Sequence, residues 1–317
     1  LSWGRGYRTQ LLYDHEVIYG EDPSTVTPYK LPFNSEDLTE NEPNQHSGAL
    51  RNNRNPTDPF LGNKDVTGTL VVPVEYKSIG MWFYSTFGAP NTSGSVTPYT
   101  HTFKIGNTIP SFLLDIGHED LSLFYKYNGC KVNTFSMSAG GDGEVVANIG
   151  IIAAKETKGT SQVAAPGADH TSFLIGRCLN KQAAATEGGN PIAYLTEFSF
   201  EINNGLTPAY CIGDAGVKSD LAENLVTVTG TITGLFQDDA LLLKGRNQTE
   251  SSLGLTFTNG VYSLALTFPE IVYNHSKPPT PGPEGLMLSL NFEAYYLNHA
   301  DATAAKAVLV TTVSSYA

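Results

Sequence analysis

The chain has 317 residues, 40% hydrophobic and 16% charged, and its 19 Lys and Arg against 31 Asp and Glu give a formal charge of −12. That length admits one large or two ordinary domains with real cores, and the acidic balance argues against a protein that grips nucleic acid by counterion release. The low charged fraction points to surface destined for other subunits, with a neutral Asn/Ser/Thr surface as the plain alternative.

Abundant Gly and Pro, with many Thr, Val, Tyr and Phe, favour a β-rich fold. Residues 1–60 are polar and weakly periodic, yet Tyr7, Leu11, Leu12, Tyr13, Val17 and Tyr19 want burial. The segment reads as an extended arm that folds over something else. From Val66 the pattern sharpens: Val66, Leu70, Val72 and Val74 share one side of a strand, Thr67, Thr69 and Val71 the other. Lys77–Phe87 then carries Ile79, Trp82, Phe83 and Thr86 or Phe87 at helical spacing, with Gly88 as the stop. The polar stretch Ala89–Tyr99, holding Asn91, Thr92, Ser93, Gly94 and Ser95, reads as an exposed excursion. Strands are expected at 101–106, 110–116 and 119–127. Asn128-Gly129 suits a type I′ hairpin turn, Cys130–Met137 returns, and Gly140-Gly141-Asp142-Gly143 turns again into Glu144–Lys155.

Residues 156–190 form a connector whose apolar cluster is Phe173, Leu174 and Ile175. Phe198, Phe200 and Ile202 then alternate with Glu197, Ser199 and Glu201, as in a half-buried strand. Val226–Thr233 repeats the earlier strand, Asp238–Lys244 is a short helix, and Asn259-Gly260 is a second hairpin turn. A Pro-rich connection over Asn274–Gly285 leads to Leu286–Tyr296, where Leu288, Leu290 and Phe292 alternate with Ser289, Asn291 and Glu293. Val66-Thr67-Gly68-Thr69 with Asn128-Gly129, and Val228-Thr229-Gly230-Thr231 with Asn259-Gly260, form an internal repeat. The two strands lie further apart along the chain than the two turns, which places an insertion in the first copy, at the Ala89–Tyr99 excursion. The expected division is an arm over 1–60, a first β-sandwich over 61–157, a connector over 158–190, a second β-sandwich over 191–300 and a tail over 301–317. Each sandwich carries a short flanking helix.

Chemistry has little purchase on this pattern. His118-Glu119-Asp120 and Asp14-His15-Glu16 are the densest ionisable clusters, but neighbours on a strand point to opposite faces and do not converge on a metal. The Gly140–Gly143 run lies between two β patterns and precedes no helix, so a turn is favoured over a phosphate cradle. Arg51 and Arg54 suit a surface or intersubunit ion pair better than a bound anion, and Trp82 suits the core. Cys130, Cys178 and Cys211 are an odd set without metal spacing, expected as free thiols in a reducing compartment. No stretch approaches the about 20 apolar residues of a membrane helix, and no apolar signal region opens the chain. The sequons at Asn91, Asn247 and Asn274 are therefore expected to carry no glycan. No catalytic, cofactor or metal residues are expected, and no enzyme.

Several segments in order resemble long-tailed bacteriophage tail tube proteins. They are Gly4-Arg5-Gly6, Glu16-Val17-Ile18-Tyr19-Gly20, Leu31-Pro32-Phe33-Asn34-Ser35-Glu36, the Val66–Leu70 strand with its helix, Tyr127-Asn128-Gly129-Cys130-Lys131-Val132, and Phe268-Pro269-Glu270-Ile271-Val272-Tyr273 followed by Leu286–Tyr296. The resemblance implies a mainly β tube fold whose rings stack into a hollow virion tail that DNA traverses. The internal repeat fits relatives with two fused copies and a homotrimeric, pseudo-hexameric ring, in which inner strands of adjacent copies form a ring-shaped barrel. On this reading Thr67, Thr69, Thr229 and Thr231 face the lumen or, alternatively, the helix, and Asn91, Thr92, Ser93, Gly94 and Ser95 touch the next ring together with the arm. The implied partners are further copies of the chain, the tape measure, tail terminator and tail tip proteins, and DNA touched non-specifically. Assembly is expected in the bacterial host cytoplasm, with no membrane insertion. A tail-tip or baseplate relative and a carbohydrate-binding β-sandwich adhesin are the alternatives.

Overall fold

The computed structural model describes residues 3–171, 176–192, 194–274, 277, 279, 282 and 285–316. The apolar cluster Phe173, Leu174 and Ile175, and much of the Pro-rich connection after Asn274, lie outside these residues. The described chain is mainly β, with open sheets, no closed barrel and two α-helices, Ile79–Phe87 and Ala240–Asn247.

One antiparallel layer runs through the whole molecule. Its strands in spatial order are Asp65–Pro73, Val146–Ala153, residues 131–140 of Leu123–Gly140, Leu195–Asn203, Thr227–Leu235 and Met287–Tyr295. The junction between the N-terminal and C-terminal halves is itself a ladder, from Thr134↔Asn203 to Gly140↔Glu197. Alternation builds this layer: Val66, Leu70, Ile149, Phe135, Phe198, Phe200, Ile232, Leu290 and Phe292 are buried on one side. The Val-Thr-Gly-Thr glycines face inward where a side chain has no room. A Cβ at Gly68 would lie 2.6 Å from Leu38 Cα, and one at Gly230 would lie 2.4 Å from both Phe292 Cζ and Ser199 O.

The segment expected as an arm divides. Thr9–His15 pairs along its length with Phe112–His118, Tyr29–Leu31 pairs with it in turn, and Leu11, Leu12 and Tyr13 are fully buried. Residues 35–41 add short pairings to the edge of Asp65–Pro73. Between them and that strand, Asn44–Gln45 and Phe60–Leu61 form the stem of a hairpin that leaves the body. The expected tail is also structural. Lys306–Thr311 lies between Tyr262–Tyr273 and Tyr99–Lys104, and buried Tyr316 donates its hydroxyl to Lys77 O at 2.9 Å.

Asn128-Gly129 is not a hairpin turn, contrary to expectation. It lies inside Leu123–Gly140, where the register against Phe112–His118 shifts between Phe112↔Cys130 and Leu114↔Tyr127. This bulge bends one strand out of a second, outer layer, built in this half on Thr9–His15 and Phe112–His118, and into the six-stranded inner one, the usual way a corner is made. Gly129 takes φ +66° there, and its N–H donates to Glu16 Oε1 at 2.8 Å. Of the two positive φ values that a type I′ turn demands, only that of Gly129 is present, and it serves a corner. The reversal falls instead at Glu119–Leu121 and Ser122. In the second half Gly260-Val261 does close a hairpin between Asn259 and Tyr262.

The first helix departs from a flanking role. Every residue of Ile79–Phe87 except Tyr84 is buried, because its apolar residues surround the axis instead of forming a stripe. Trp82 meets Tyr13 and Phe112 edge to face at 5.5 Å and 6.1 Å. Ala240–Asn247 buries only Leu241 and Gly245 and does flank the body.

Candidate functional surface

The second face of the inner layer is solvent-accessible and polar. Register alignment places Val71, Asn148, Ser136, Glu201, Thr229 and Glu293 in one row across six strands. Beside it run Thr69, Gly150, Thr134, Asn203 and Thr227, and on the other flank Ser138, Ser199, Thr231 and Asn291. Thr67 and Thr229 are exposed, Thr69 and Thr231 half-buried, and all four project from this face because their neighbours Val66, Leu70, Val228 and Ile232 fill the core. The two threonine pairs sit four strand steps apart, about 19 Å at the usual spacing. Neither pair turns toward a helix.

The charge on this face has one sign. Glu197, Glu201 and Glu293 are exposed, and the one Lys, Arg or His within the six inner runs is Lys131, which is buried and ion-paired with Glu223 at 2.9 Å. Hydroxyls and amides satisfy one another, as where Thr231 Oγ1 donates to Asn291 Oδ1 at 2.8 Å. The three glutamates are functional candidates that attention to the threonines missed. Their signal was present in the alternation of Glu197, Ser199 and Glu201 against phenylalanines. What the sequence lacked was the register that aligns Glu201 and Glu293 on either side of Thr229.

The layer ends in two incompletely paired edges. At one end 35–41 is bonded on one side, to Asp65–Pro73. At the other, Met287–Tyr295 pairs over 287–294 with 228–235 and is followed by Glu270–Tyr273, which past Ile271 has no ladder on its second side among the described residues.

Asn91–Ser93 forms a short exposed strand against Thr100–Thr102, so the excursion is a hairpin on the margin of the outer layer, with Gly94 and Ser95 at its exposed tip. His101 ties this hairpin to the C-terminus, with Nδ1 at 2.8 Å from Thr92 Oγ1 and Nε2 at 2.8 Å from Val313 O.

The two ionisable triplets are structural. Asp14 accepts from Thr27 N at 2.8 Å, and Glu16 accepts from Gly20 N at 3.0 Å as well as from Gly129. Burial pushes the Glu16 carboxyl up and holds the His15 imidazole down from their ordinary values. His118 Nδ1 lies 3.1 Å from Thr9 Oγ1, and Asp120 accepts from Arg5 N at 3.0 Å. Among the described residues no three His, Cys, Asp or Glu side chains gather as a metal site. Cys130 and Cys178 are buried, Cys211 is exposed, and none is in a disulfide. The Gly140–Gly143 run is a turn between Leu123–Gly140 and Val146–Ala153. Arg51 donates to Asn55 O and Pro56 O within its own loop. No helix among the described residues is long and apolar enough to cross a membrane.

An uninterrupted sheet with a polar wall and incompletely paired margins is the anatomy of an assembling structural protein. The family profile for phage tail tube proteins matches residues 6–294, and the chain belongs to that family, whose members are structural proteins of the virion tail. No curated protein sequence matches the chain.

Proposed function

We propose that this chain is the major tail tube subunit and that three copies form a ring with pseudo-sixfold symmetry. The in-chain ladder from Thr134↔Asn203 to Gly140↔Glu197 carries this reading, because it joins the inner layer of one half to that of the other edge to edge. Repeating that junction between subunits would set the 35–41 edge of one against Glu270–Tyr273 of the next, the counterpart of residues 131–140, and pair backbone groups left open in the single chain. The two halves are read as copies. Asp65–Pro73 lies between 35–41 and Val146–Ala153, just as Thr227–Leu235 lies between Leu195–Asn203 and Met287–Tyr295. The corner bulge recurs too, at 128–129 and at 269–270. On this correspondence the first copy begins at Thr9, and the hairpin over 89–104 is its insertion.

The Thr67, Thr69, Thr229 and Thr231 face then lines the lumen. A wall without exposed cations offers phosphate nothing to bind, so DNA slides through it. The Asn91–Ser95 hairpin reaches the adjoining ring, and stacking propagates because a head-to-tail contact does not close on itself. Ring ends would meet the tape measure, terminator and tip proteins, with assembly in the host cytoplasm.

Negative-stain microscopy of the purified protein tests this reading. Wild-type protein should give hollow tubes of stacked rings whose class averages show threefold symmetry. A variant with Gly94–Pro98 replaced by a two-residue turn should keep its thermal midpoint and stop at short or single rings. Single rings from the wild type would favour a tail-tip protein instead, and full-length tubes from the shortened variant would remove the hairpin from the stacking contact.

A further inference from the structure

Two hairpins leave the same end of the inner layer; one is seated along its length, while the other is held only at its base, where Lys64 N donates to Gly216 O at 2.9 Å and Tyr210 donates its hydroxyl to Lys64 O at 3.1 Å. The first spans 42–64, between the paired ends Asn41 and Asp65; the second spans 204–226, between the paired ends Asn203 and Thr227. The second folds back over the N-terminal half. Its Lys218 is fully buried, forms an ion pair with Asp65 at 2.7 Å and donates to Ala153 O at 3.1 Å. Leu221 is fully buried with Leu206 and Ile109, beside Tyr19 and Ile152, and Lys131 Nζ donates to Leu221 O at 3.0 Å. The strand ends at Val66 and Ala153 are thereby sealed.

Over the matching strand ends in the C-terminal half, at Val228 and Ala294, no hairpin folds back among the described residues, and those two side chains are buried from the core side alone. Next to them opens a groove of about 640 Å³ lined by Val226, Thr227, Ala294, Tyr295, Tyr296 and Ala302. Leu225 and Tyr296 at its mouth are 91% and 53% exposed. The first hairpin shows the complementary deficit: Leu50 is fully exposed, and Phe60 and Leu61 are 52% and 62% exposed. Exposed apolar side chains of this size, on a hairpin whose counterpart is buried, call for a partner surface.

We propose that the 42–64 hairpin of one subunit docks in this groove of its neighbour, with Phe60, Leu61 and Leu50 as anchors. The contact repeats between chains the docking that 204–226 makes within one chain. It directs the hairpin sideways within the ring, not toward the next ring. The inference rests on the tube reading and adds the part of the interface outside the β ladder.

Cysteine cross-linking tests it in a Cys211→Ser background. Phe60→Cys protein and Tyr296→Cys protein, co-assembled and oxidised, should yield a covalent heterodimer, and the double variant should yield species ending at the trimer. In parallel, Phe60→Asp with Leu61→Asp should leave the monomer's thermal midpoint unchanged, since both side chains are exposed there. It should raise the protein concentration needed for ring formation about tenfold or more. Rings that form normally from the Asp variant, or that give no cross-link, overturn the docking and leave the tube reading standing. Wild-type protein that forms no ring overturns both.

Discussion

Glu75 shows how a single buried group shapes this protein without chemistry. It is 1% exposed, and its Oε2 accepts from Lys77 N and Ser78 N at 3.0 Å and 2.9 Å, at the entry to the buried helix. Its Oε1 has no hydrogen-bond partner among the described residues. Burial raises its pKa above the ordinary 4.5. A carboxyl with a raised folded-state pKa binds its proton more tightly in the native state than in the unfolded one. Its contribution therefore falls as pH rises from about 4.5 through the raised value, and returns on acidification. Glu75→Gln keeps the acceptor and removes the charge. The thermal midpoint of the wild type minus that of the variant should be lower at about pH 8 than at about pH 5. A difference that grows with pH would contradict the assignment. Burial of this glutamate was invisible in the sequence, where it reads as an ordinary polar residue after a strand.

At the scale of elements, local periodicity was a good guide wherever one face of a segment met the core. The strands around Val66, Phe198, Val228 and Leu288 stand where alternation placed them, and Gly88 ends the first helix at φ +98°. The Asn128-Gly129 reading failed because a bulge and a hairpin turn both use a residue at positive φ, and only the partner strand distinguishes them. The reading of 1–60 as an arm failed for a related reason: Thr9–His15 is completed by Phe112–His118, more than ninety positions away. The repeated glycines were visible, but their cause was not. Gly230→Ala would place a methyl against Phe292 and the Ser199 carbonyl, a clash with backbone that rotamer change does not relieve. We expect a loss of about 1–3 kcal/mol in denaturant unfolding. A variant as stable as the wild type would show that the two strands separate freely at this point.

For the whole molecule, the question is what the long polar face meets. If it lines a lumen, adding cations should convert a passive wall into a binding one. Thr229→Lys with Thr231→Lys puts two ammonium groups in the rows that hold Glu201, Glu293 and Asn291. Virions built with this variant should eject DNA more slowly in vitro, and added salt should restore much of the rate by screening the phosphate contacts. Neutralising Glu197, Glu201 and Glu293 to Gln should slow ejection in the same direction but more weakly. Ejection at the wild-type rate from both variants would place this face away from the DNA.

The sequence by itself determined a mainly β chain with a cation-poor set of alternating strands and a repeated Val-Thr-Gly-Thr opening. Each of these is written in residues at most a few positions apart, where the period of a strand acts directly. Only the tertiary structure decided that the strands of both halves form one layer, that Glu201 and Glu293 flank Thr229, and that one hairpin is seated while its counterpart leaves Leu50, Phe60 and Leu61 exposed. Those facts depend on register between segments far apart in the chain, and register is set by how buried faces mesh and not by any local pattern.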